Sequence, residues 1–429
     1  MLNPLQQKAL EASMRGKNLF ITGPGGVGKS YLIQEIVNEL GKIKKVAVTA
    51  LTGCAALLIN AKTIHSWAGI GLGKDPTAKL VANIRRYNYK ATRRWLLTHT
   101  LIIDEVSMMN PELLEKLNEV AKAIRKNTNP FGGLQVILVG DFFQLPPIYR
   151  DSETKFAFES PVWNELNLDI LELTQIVRQD NPDFHKILKE ARVGTLSKQS
   201  IKILKQRITD SWQTQKIRPT LLFSRRAEVE MVNEVNLKAL KTPLQTYEVK
   251  TILTADLERN TPKSDLERAI QKLDKDASYK SKLELRVGAQ VMLLFNLNQE
   301  AGLVNGSRGV VEGFTLSTPP LPLVLFKGHT TAIVIPETTW ESDEVDGLKR
   351  SQIPLILAYA VTIHKCQGAT LDSALIDIGR STFEMGQAYV ALSRVKSLDS
   401  LYIYDLEVEA FRAHPKVLEF YTSLKKISV

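Results

Sequence analysis

Residues 23–30 of this 429-residue chain, GPGGVGKS, restrict its possible folds more than any other feature. They have the spacing G-x-x-x-x-G-K-[ST] and follow a short apolar run, Leu19–Thr22, that is typical of a strand. Glycines let consecutive backbone N–H groups wrap a phosphate, and a helix beginning at the lysine adds its dipole. The motif therefore predicts a strand, a phosphate-binding loop and a helix within an α/β domain. Lys29 is expected on the β- and γ-phosphates and the Ser30 hydroxyl on Mg²⁺, whereas a simple glycine-rich turn would not explain this order of elements.

Two acids and a glutamine follow later apolar runs of the same kind. The run Leu101–Ile103 leads directly into Asp104 and Glu105. Near a phosphate loop, Asp104 is placed to hold Mg²⁺ through its water shell, and Glu105 to take the proton from the attacking water. Paired acids at a strand end can instead cap the next helix. Gln144 lies in a proline-stiffened loop after the predicted strand 136–140, where it could sense the γ-phosphate or simply be solvated on a rigid loop.

The periodicity of apolar residues divides the chain into three parts. Short strands alternate with amphipathic helices in residues 1–170, and again in residues 171–241 and 350–429. This alternation favours parallel sheets covered by helices, so we predict two α/β domains. Residues 242–349 have short β-like runs punctuated by proline and glycine, which suits a β-barrel-containing domain inserted into the second α/β domain.

Residues 71–96 interrupt the first α/β pattern with interleaved basic and aromatic side chains. Such a mixture suits a pin or wedge that grips a nucleic-acid strand through phosphate contacts and base stacking. A charged hairpin with a small aromatic core is the competing interpretation. The residues considered in and before this insertion are His65, Trp67, Arg85, Arg86, Tyr87, Tyr89, Lys90, Arg93, Arg94 and Trp95.

Charge and cysteine content limit the possible partners and the compartment. Lys and Arg number 56 against 46 acidic residues, a net charge of +10 that favours a polyanionic partner such as nucleic acid, with a solvated basic surface as an equal alternative. Cys54 and Cys366 are too few for a disulfide framework and lack metal-ligand spacing. No apolar run approaches a bilayer span, and the N-terminal residues lack a secretory pattern. We expect an intracellular protein, bacterial or nuclear, that is not secreted and has no membrane partner.

The order of these motifs resembles superfamily-one helicases of the RecD-like branch (1B), and more narrowly the PIF (petite integration frequency) DNA helicase family. Residues 2–6 (LNPLQ) are similar to the adenine-reading motif of that superfamily, with Gln6 as the base contact. The resemblance covers nearly the whole chain, although residues 242–282 match none of its motifs. The other matching segments are 52–56 (TGCAA), 63–67 (TIHSW), 140–147 (GDFFQLPP), 173–179 (LTQIVRQ), a helix with Phe184, Leu188, Arg192 and Gly194, 302–309 (GLVNGSRG), 362–372 (TIHKCQGATLD) and 389–394 (YVALSR).

The resemblance implies an ATP- and Mg²⁺-dependent DNA helicase with two RecA-like domains, the second carrying a barrel similar to a Src-homology-three fold. It would move 5′ to 3′ on single-stranded DNA and unwind forked or structured DNA. The implied catalytic residues are Lys29, Asp104, Glu105, Gln144, Arg178 and Arg394. The implied nucleotide contacts are Gln6, Gly23, Pro24, Gly25, Gly26, Val27, Gly28, Lys29, Ser30, Tyr31 and Gln367. The implied DNA contacts are Thr52, Gly53, His65, Trp67, Tyr87, Tyr89, Arg93, Arg94, Thr362, His364 and Lys365.

Two arginines carry the expected coupling between hydrolysis and movement. By the boundaries above, Arg178 and Arg394 belong to the second α/β domain, so they would reach the γ-phosphate only when the domains close. The alternative for Arg178 is a surface salt bridge, and for Arg394 a contact with the dipole of its own helix.

Other functions stay open from the sequence alone. An RNA-directed or RNA/DNA-hybrid helicase of the same superfamily would carry the same motifs, because none of them reads a 2′-hydroxyl. A nucleotide-gated binding module or small-molecule kinase would not need two arginines and a second α/β domain, and it ranks lower. We expect a monomer or a weak DNA-induced dimer.

Overall fold

The computed structural model describes residues 2–71, 73–149, 153–179, 181–277, 279–298, 300–342, 345 and 347–424. The chain forms two compact units. The first consists of the described residues within Met1–Lys202, Thr382–Ser393 and Glu407–Val429, and the second of those within Ile203–Ser381 and Arg394–Leu406. None of the helices in these described ranges is both long enough and apolar enough to span a membrane.

The first unit is built on a six-stranded parallel sheet. Across the sheet the strands are Lys62–Thr63, Val46–Ala50, Thr100–Asp104, Gln135–Val139, Leu19–Thr22 and Asp169–Glu172. The central strands Thr100–Asp104, Gln135–Val139 and Leu19–Thr22 are buried on both faces, because helices cover both sides of such a parallel sheet. The helices are Pro4–Met14, Lys29–Leu40, Gly53–Leu58, Ile64–Ala68, Thr77–Tyr87, Tyr89–Leu97, Pro111–Arg125, Pro161–Glu165, Pro182–Val193, Gln387–Leu392 and Pro415–Ser423, with Lys198–Lys205 beginning here.

Local sequence explains where these helices begin. The Asn3 side chain accepts from the backbone of Gln6, and the Gln6 side chain accepts from the backbone of Asn3, which forms a capping box at the first helix. Asn110 caps Pro111–Arg125 by accepting from Leu113 N at 2.8 Å, and Pro111 occupies the first turn where no N–H is needed.

The second unit combines a parallel sheet with antiparallel ones. Its parallel sheet has the strand order Ala360–Thr362, Thr220–Phe223, Ala374–Ile378 and Leu401–Leu406. A five-stranded antiparallel sheet has the order Ile333–Val334, Pro322–Phe326, Arg308–Phe314, Gln290–Leu293 and Leu355–Leu357. The smaller antiparallel sheets are Thr338–Glu341, Leu348–Gln352 and Lys250–Leu253, and Gln245–Glu248 with Lys282–Leu285. The helices are Arg226–Ala239, Ala255–Asn260 and Lys263–Asp276.

The compact units differ from the predicted division at residue 171. The strand Asp169–Glu172 pairs in parallel with Leu19–Thr22, and Leu171 and Leu173 lie in the core of the first sheet. Residues 171–202 are therefore part of the first unit, as are 382–393 and 407–424, which we expected in the second domain. The physical reason is that an edge strand joins whichever sheet offers it a hydrogen-bonding partner and a buried apolar face. The domain boundaries as such stay a prediction.

The structure gives the first insertion a secondary structure that the sequence left open, and the second insertion differs from the expectation. Residues 71–96 contain two helices, Thr77–Tyr87 and Tyr89–Leu97, separated by Asn88, whose side chain caps the second by accepting from Ala91 N at 2.9 Å. The front of the larger insertion, for which we predicted only β-like runs, contains Ala255–Asn260 and Lys263–Asp276. Arg350 of the strand Leu348–Gln352 anchors the latter through a bidentate ion pair with Asp274 at 2.8 Å.

Candidate functional site

The phosphate-binding loop lies between the central strand Leu19–Thr22 and the helix Lys29–Leu40, as its motif predicts. Gly26 and Gly28 have φ of 88° and 83°, a conformation that suits glycine. The Lys29 ammonium donates to Gly23 O at 2.7 Å and to Pro24 O at 3.0 Å. Burial lowers the pKa of Lys29, and the carboxylates of Asp141, Glu105 and Asp104 act against this effect. The lysine is thus held over its own loop, facing a group of acids.

The acids at the end of Thr100–Asp104 are both buried beside that lysine. Asp104 Oδ1 accepts from Glu105 N at 2.8 Å, and Glu105 has φ of 55°, an uncommon conformation for a residue with a side chain. Burial, followed by the Glu105 carboxylate, raises the pKa of Asp104 to about 7. A conformation of this kind at a strand end is typical of sites where strain fixes a functional side chain.

Two oxygen-bearing side chains at the phosphate loop and a nearby strand end fit Mg²⁺. The hydroxyl of Ser30, which is exposed, and the carboxylate of Asp104 are hard oxygen ligands of the kind this ion prefers. In the described residues no cluster of three or more His, Cys, Asp or Glu could hold a metal by itself. Mg²⁺ commonly keeps waters and binds substrate phosphates in addition to one or two protein oxygens, so such a cluster is not required.

The loop after Gln135–Val139 brings Gln144 into the same unit. Its backbone N–H donates to Asp141 O at 2.8 Å, and its side chain is buried. The Gln144 Oε1 atom has no hydrogen-bond partner among the residues that the structure describes. Because an unpaired buried amide oxygen is costly, it points to a donor supplied by a ligand or its water.

Gln6 is positioned against the phosphate loop by the capping box. Its Nε2 donates to Val27 O at 3.3 Å, and a Cβ on Gly28 would come within 2.9 Å of that nitrogen. Tyr31, in the first turn of the following helix, is 43% exposed. The structure therefore places Gln6 and Tyr31 at the loop, where a nucleotide base contact was expected.

Arg178 lies in the first unit, contrary to the prediction. The backbone N–H groups of Val177 and Arg178 donate to Gly26 O at 2.9 and 3.1 Å, and a Cβ on Gly26 would lie 2.9 Å from Arg178 Cβ. The guanidinium donates to Ser393 O at 3.0 Å. The segment 173–179 thus continues from the edge strand onto the phosphate loop, so Arg178 does not have to cross from the second unit to reach it.

Arg394 belongs to the second unit and is buried. Its Nη1 donates to Cys366 O at 3.2 Å and to Ala369 O at 3.3 Å, which ties it to the late segment 362–372. Gln367 is buried in the same segment. These two carbonyls belong to another segment than the helix Gln387–Leu392, so these contacts are not the alternative of an arginine on the dipole of its own helix. A catalytic role of Arg394 stays a prediction.

The segment 362–372 presents a small polar surface in the second unit. Thr362 Oγ1 accepts from Lys365 N at 3.3 Å, and Lys365 is exposed. His364 is half-buried, and its burial lowers its pKa. Asp372 forms an ion pair with the buried Arg308 of the antiparallel sheet at 2.5 Å. The segment is therefore anchored at its end, with Lys365 left for an anionic partner.

The aromatic residues in and before the helical pair Thr77–Tyr87 and Tyr89–Leu97 form two groups, one buried and one exposed. Trp67 is 4% exposed and packs edge-on against Trp95 at 4.6 Å between centroids. Arg94 donates to Trp67 O at 2.7 Å and to Ser66 O at 2.9 Å. Both side chains are therefore engaged in packing within the first unit, and their contact with DNA stays a prediction.

Other predicted strand-binding residues of the first unit remain accessible. Tyr87 and Tyr89 are 71% and 76% exposed, and Arg93 is exposed beside them. His65 is half-buried. Thr52 caps Gly53–Leu58 through its hydroxyl, which accepts from Ala55 N at 3.2 Å and keeps its own hydrogen for a further bond, so its contact with DNA stays a prediction.

Sequence reasoning missed a buried polar network behind the phosphate loop. Asp141 is fully buried and forms a bidentate pair with Arg192, at 2.9 Å for the shortest contact. The Arg192 guanidinium also lies 4.6 Å from the Phe143 ring centroid and 5.1 Å from that of Tyr421. The Tyr421 hydroxyl lies 2.5 Å from Thr22 Oγ1. Asp141 and Arg192 occur within matched segments, but no sequence signal pointed to Tyr421.

The comparisons with known proteins agree with this geometry. The family model described as PIF1-like helicase matches residues 1–208, and that of the DNA helicase Pif1 2B domain matches residues 272–314. The ATP-dependent DNA helicase PIF1 of Homo sapiens is 38% identical over 431 residues, which cover 99% of this chain and 64% of the human protein. This chain therefore spans less than two thirds of that relative's length.

Solved structures extend the likeness to the fold. The Pif1 helicase from Candida albicans is 35% identical with a TM-score of 0.83, covering 98% of this chain and 99% of that one. The Pif1 helicase from Bacteroides, in complex with ADP-AlF3 and ssDNA, is 26% identical with a TM-score of 0.73, covering 100% of this chain and 98% of that one. The predicted mixed α/β fold with RecA-like parallel sheets is confirmed. Because a relative with 35% identity is matched over nearly its whole length, the chain belongs to the PIF1-like helicase family.

Proposed function

We propose that this chain is an ATP-driven DNA helicase that moves along single-stranded DNA and separates duplexes. The observation that carries the proposal is the electrostatic grouping of Lys29 with Asp104, Glu105 and Asp141 around one phosphate loop. A lysine over a glycine-rich loop, with buried carboxylates at the end of another parallel strand of the same sheet, is the arrangement that phosphoryl transfer to water requires. The human relative, named an ATP-dependent DNA helicase, and the Bacteroides structure with ADP-AlF3 and ssDNA support the coupling to DNA.

Each predicted site residue around the phosphate loop and the nearby strand ends has a proposed task in hydrolysis. The backbone N–H groups of the loop and Lys29 hold the phosphates, while Ser30 and Asp104 hold Mg²⁺, which would neutralise developing charge on the phosphate oxygens. Glu105 accepts the proton of the attacking water. Gln144, with its unpaired Oε1, orients that water or detects the γ-phosphate.

Two arginines supply positive charge from different places. Arg178 approaches from the segment that is hydrogen-bonded to Gly26 within the first unit. Arg394 is delivered from the second unit when bound ATP draws the units together, and Gln367 contacts the nucleotide from the same side. Only Arg394 then makes catalysis depend on closure, which converts hydrolysis into a stepping motion.

The DNA strand is gripped by exposed and half-buried groups of both units. Tyr87, Tyr89 and Arg93 offer stacking faces and charge, and Thr362, His364 and Lys365 offer phosphate contacts, with Thr52, Gly53 and His65 as further contacts. Movement is 5′ to 3′, as expected from the family resemblance. The active species is a monomer or a weak DNA-induced dimer.

The test is hydrolysis and unwinding by the full chain. ATP turnover is measured without nucleic acid, with single-stranded DNA and with RNA of the same sequence. Unwinding is measured on forks carrying only a 5′ or only a 3′ tail, and Lys29→Ala serves as the control that binds DNA but does not hydrolyse ATP. DNA-stimulated turnover with unwinding from 5′ tails supports the proposal. Turnover that DNA leaves unchanged would refute it, and stimulation by RNA alone would favour an RNA-directed motor.

A further inference from the structure

The helix Gln387–Leu392 has no solvent-facing side: all of its residues are buried. It begins at Gly386, which has φ of 78°, and a Cβ there would lie 2.4 Å from Phe143 O and 2.7 Å from Gln144 O. Only a glycine allows this close approach. The start of the helix is therefore packed directly on the backbone of the loop that carries Gln144.

One side chain of this helix reaches the phosphate loop. Gly25 N donates to the Tyr389 hydroxyl at 2.7 Å, and that hydroxyl donates to Asp141 Oδ2 at 3.3 Å. Asp141 is in turn fixed by Arg192. The hydroxyl is thus oriented by a buried carboxylate so that its oxygen faces a backbone N–H of the loop.

We propose that Tyr389 is a positioning residue of the nucleotide site. This proposal rests on the proposed function. Its hydroxyl fixes Gly25 N–H, and so holds this part of the phosphate loop in its binding conformation before the nucleotide arrives. Gly25 N–H itself is occupied by the hydroxyl, and the other backbone donors of the loop bind an anion best when they do not have to reorganise. Through Asp141 and Gly386, the same helix joins the phosphate loop to the loop of Gln144.

A substitution that removes one oxygen atom tests the proposal. Tyr389→Phe removes the hydroxyl and keeps the ring. Losing one net hydrogen bond that organises the loop is expected to weaken binding of N-methylanthraniloyl-ADP and of a non-hydrolysable ATP analogue by about three- to tenfold each. The KM for ATP should rise by the same factor with kcat nearly unchanged, because the contact serves ground state and transition state alike.

The matched control is Tyr402→Phe in the second unit. Tyr402 is also buried, and its hydroxyl likewise accepts an N–H, from Gln215 Nε2 at 2.8 Å. This variant should bind both nucleotides like the unsubstituted chain. Melting temperatures of both variants without nucleotide separate loss of stability from loss of binding.

The outcomes are distinct. If Tyr389→Phe lowers the melting temperature but keeps both nucleotide affinities, the residue is only structural and the inference is overturned. If it tightens binding of the ATP analogue and leaves ADP unchanged, the hydroxyl competes with a γ-phosphate and the inference is again overturned. If the unsubstituted chain binds neither nucleotide, or if its affinity for both equals that of the Lys29→Ala variant, the proposed function itself fails.

Discussion

Removing Arg192 should destabilise the first unit strongly. Asp141 is fully buried, and Arg192 is its bidentate partner, with side chains 0% and 11% exposed. In Arg192→Met the carboxylate would lose its bidentate partner and keep hydroxyl and backbone partners together with the attraction of the nearby Lys29. Breaking a buried pair from one side costs about 3–5 kcal/mol, because the remaining charge loses its closest compensating partner. For a unit of this size that corresponds to a melting temperature lower by roughly 6–20 °C.

The assay is thermal unfolding followed by circular dichroism, with a double-mutant cycle. Asp141→Asn combined with Arg192→Met removes both charges and should recover a large part of the loss, since the cost arises from the uncompensated carboxylate. Arg226→Met is the matched control: its partner Glu230 lies 2.8 Å away, but the two side chains are 76% and 53% exposed. That variant should melt within error of the unsubstituted chain, because exposed pairs contribute little.

The reasoning is refuted if Arg192→Met melts like Arg226→Met. It is also refuted if the double variant loses more stability than the two single variants lose together, because the two charges would then not compensate each other.

Three further outcomes are expected. Arg394→Ala should bind ATP normally but turn it over at least about tenfold more slowly; impaired binding with normal turnover in titration and steady-state assays would contradict its proposed role. Because burial raises the Asp104 pKa to about 7, the affinity for Mg²⁺ should rise with pH up to about that value, and a flat dependence in a pH series would argue against it. Without metal, the stability that this carboxyl contributes should be complete below its ordinary pKa of 3.8 and lost as the pH rises from there to about 7. Replacing Tyr87 and Tyr89 by Ala should weaken single-stranded DNA binding by about 1–3 kcal/mol per stacked base, whereas Ala at the similarly exposed Tyr404 should not, as anisotropy would show.

Several site residues could be found from the sequence because their geometry is local. A glycine-rich loop between a strand and a helix has few conformations, so the positions of Lys29 and Ser30 follow from spacing alone. The same holds for Asp104 and Glu105, since a buried strand that ends in acids must present them at its carboxyl end. The parallel α/β pattern also follows from the periodicity of apolar residues.

The insertion 71–96 shows where such reasoning stops. Its composition predicts rings and charges together, but not which rings are buried. Trp67 and Trp95 pack on each other, whereas Tyr87 and Tyr89 face solvent. The difference arises from helix faces and neighbours, which composition does not record.

The sequence by itself determined the phosphate loop, the acids beside it and the alternation that makes two parallel sheets, because each depends on residues close together in the chain. Only the tertiary structure decided that Arg178 lies with the first unit and that Tyr389 and Tyr421 meet at Asp141. Tyr421 lies 280 positions from that carboxylate along the chain. Contacts over such separations are selected by burial, since a charge removed from water must find its partners wherever the fold brings them.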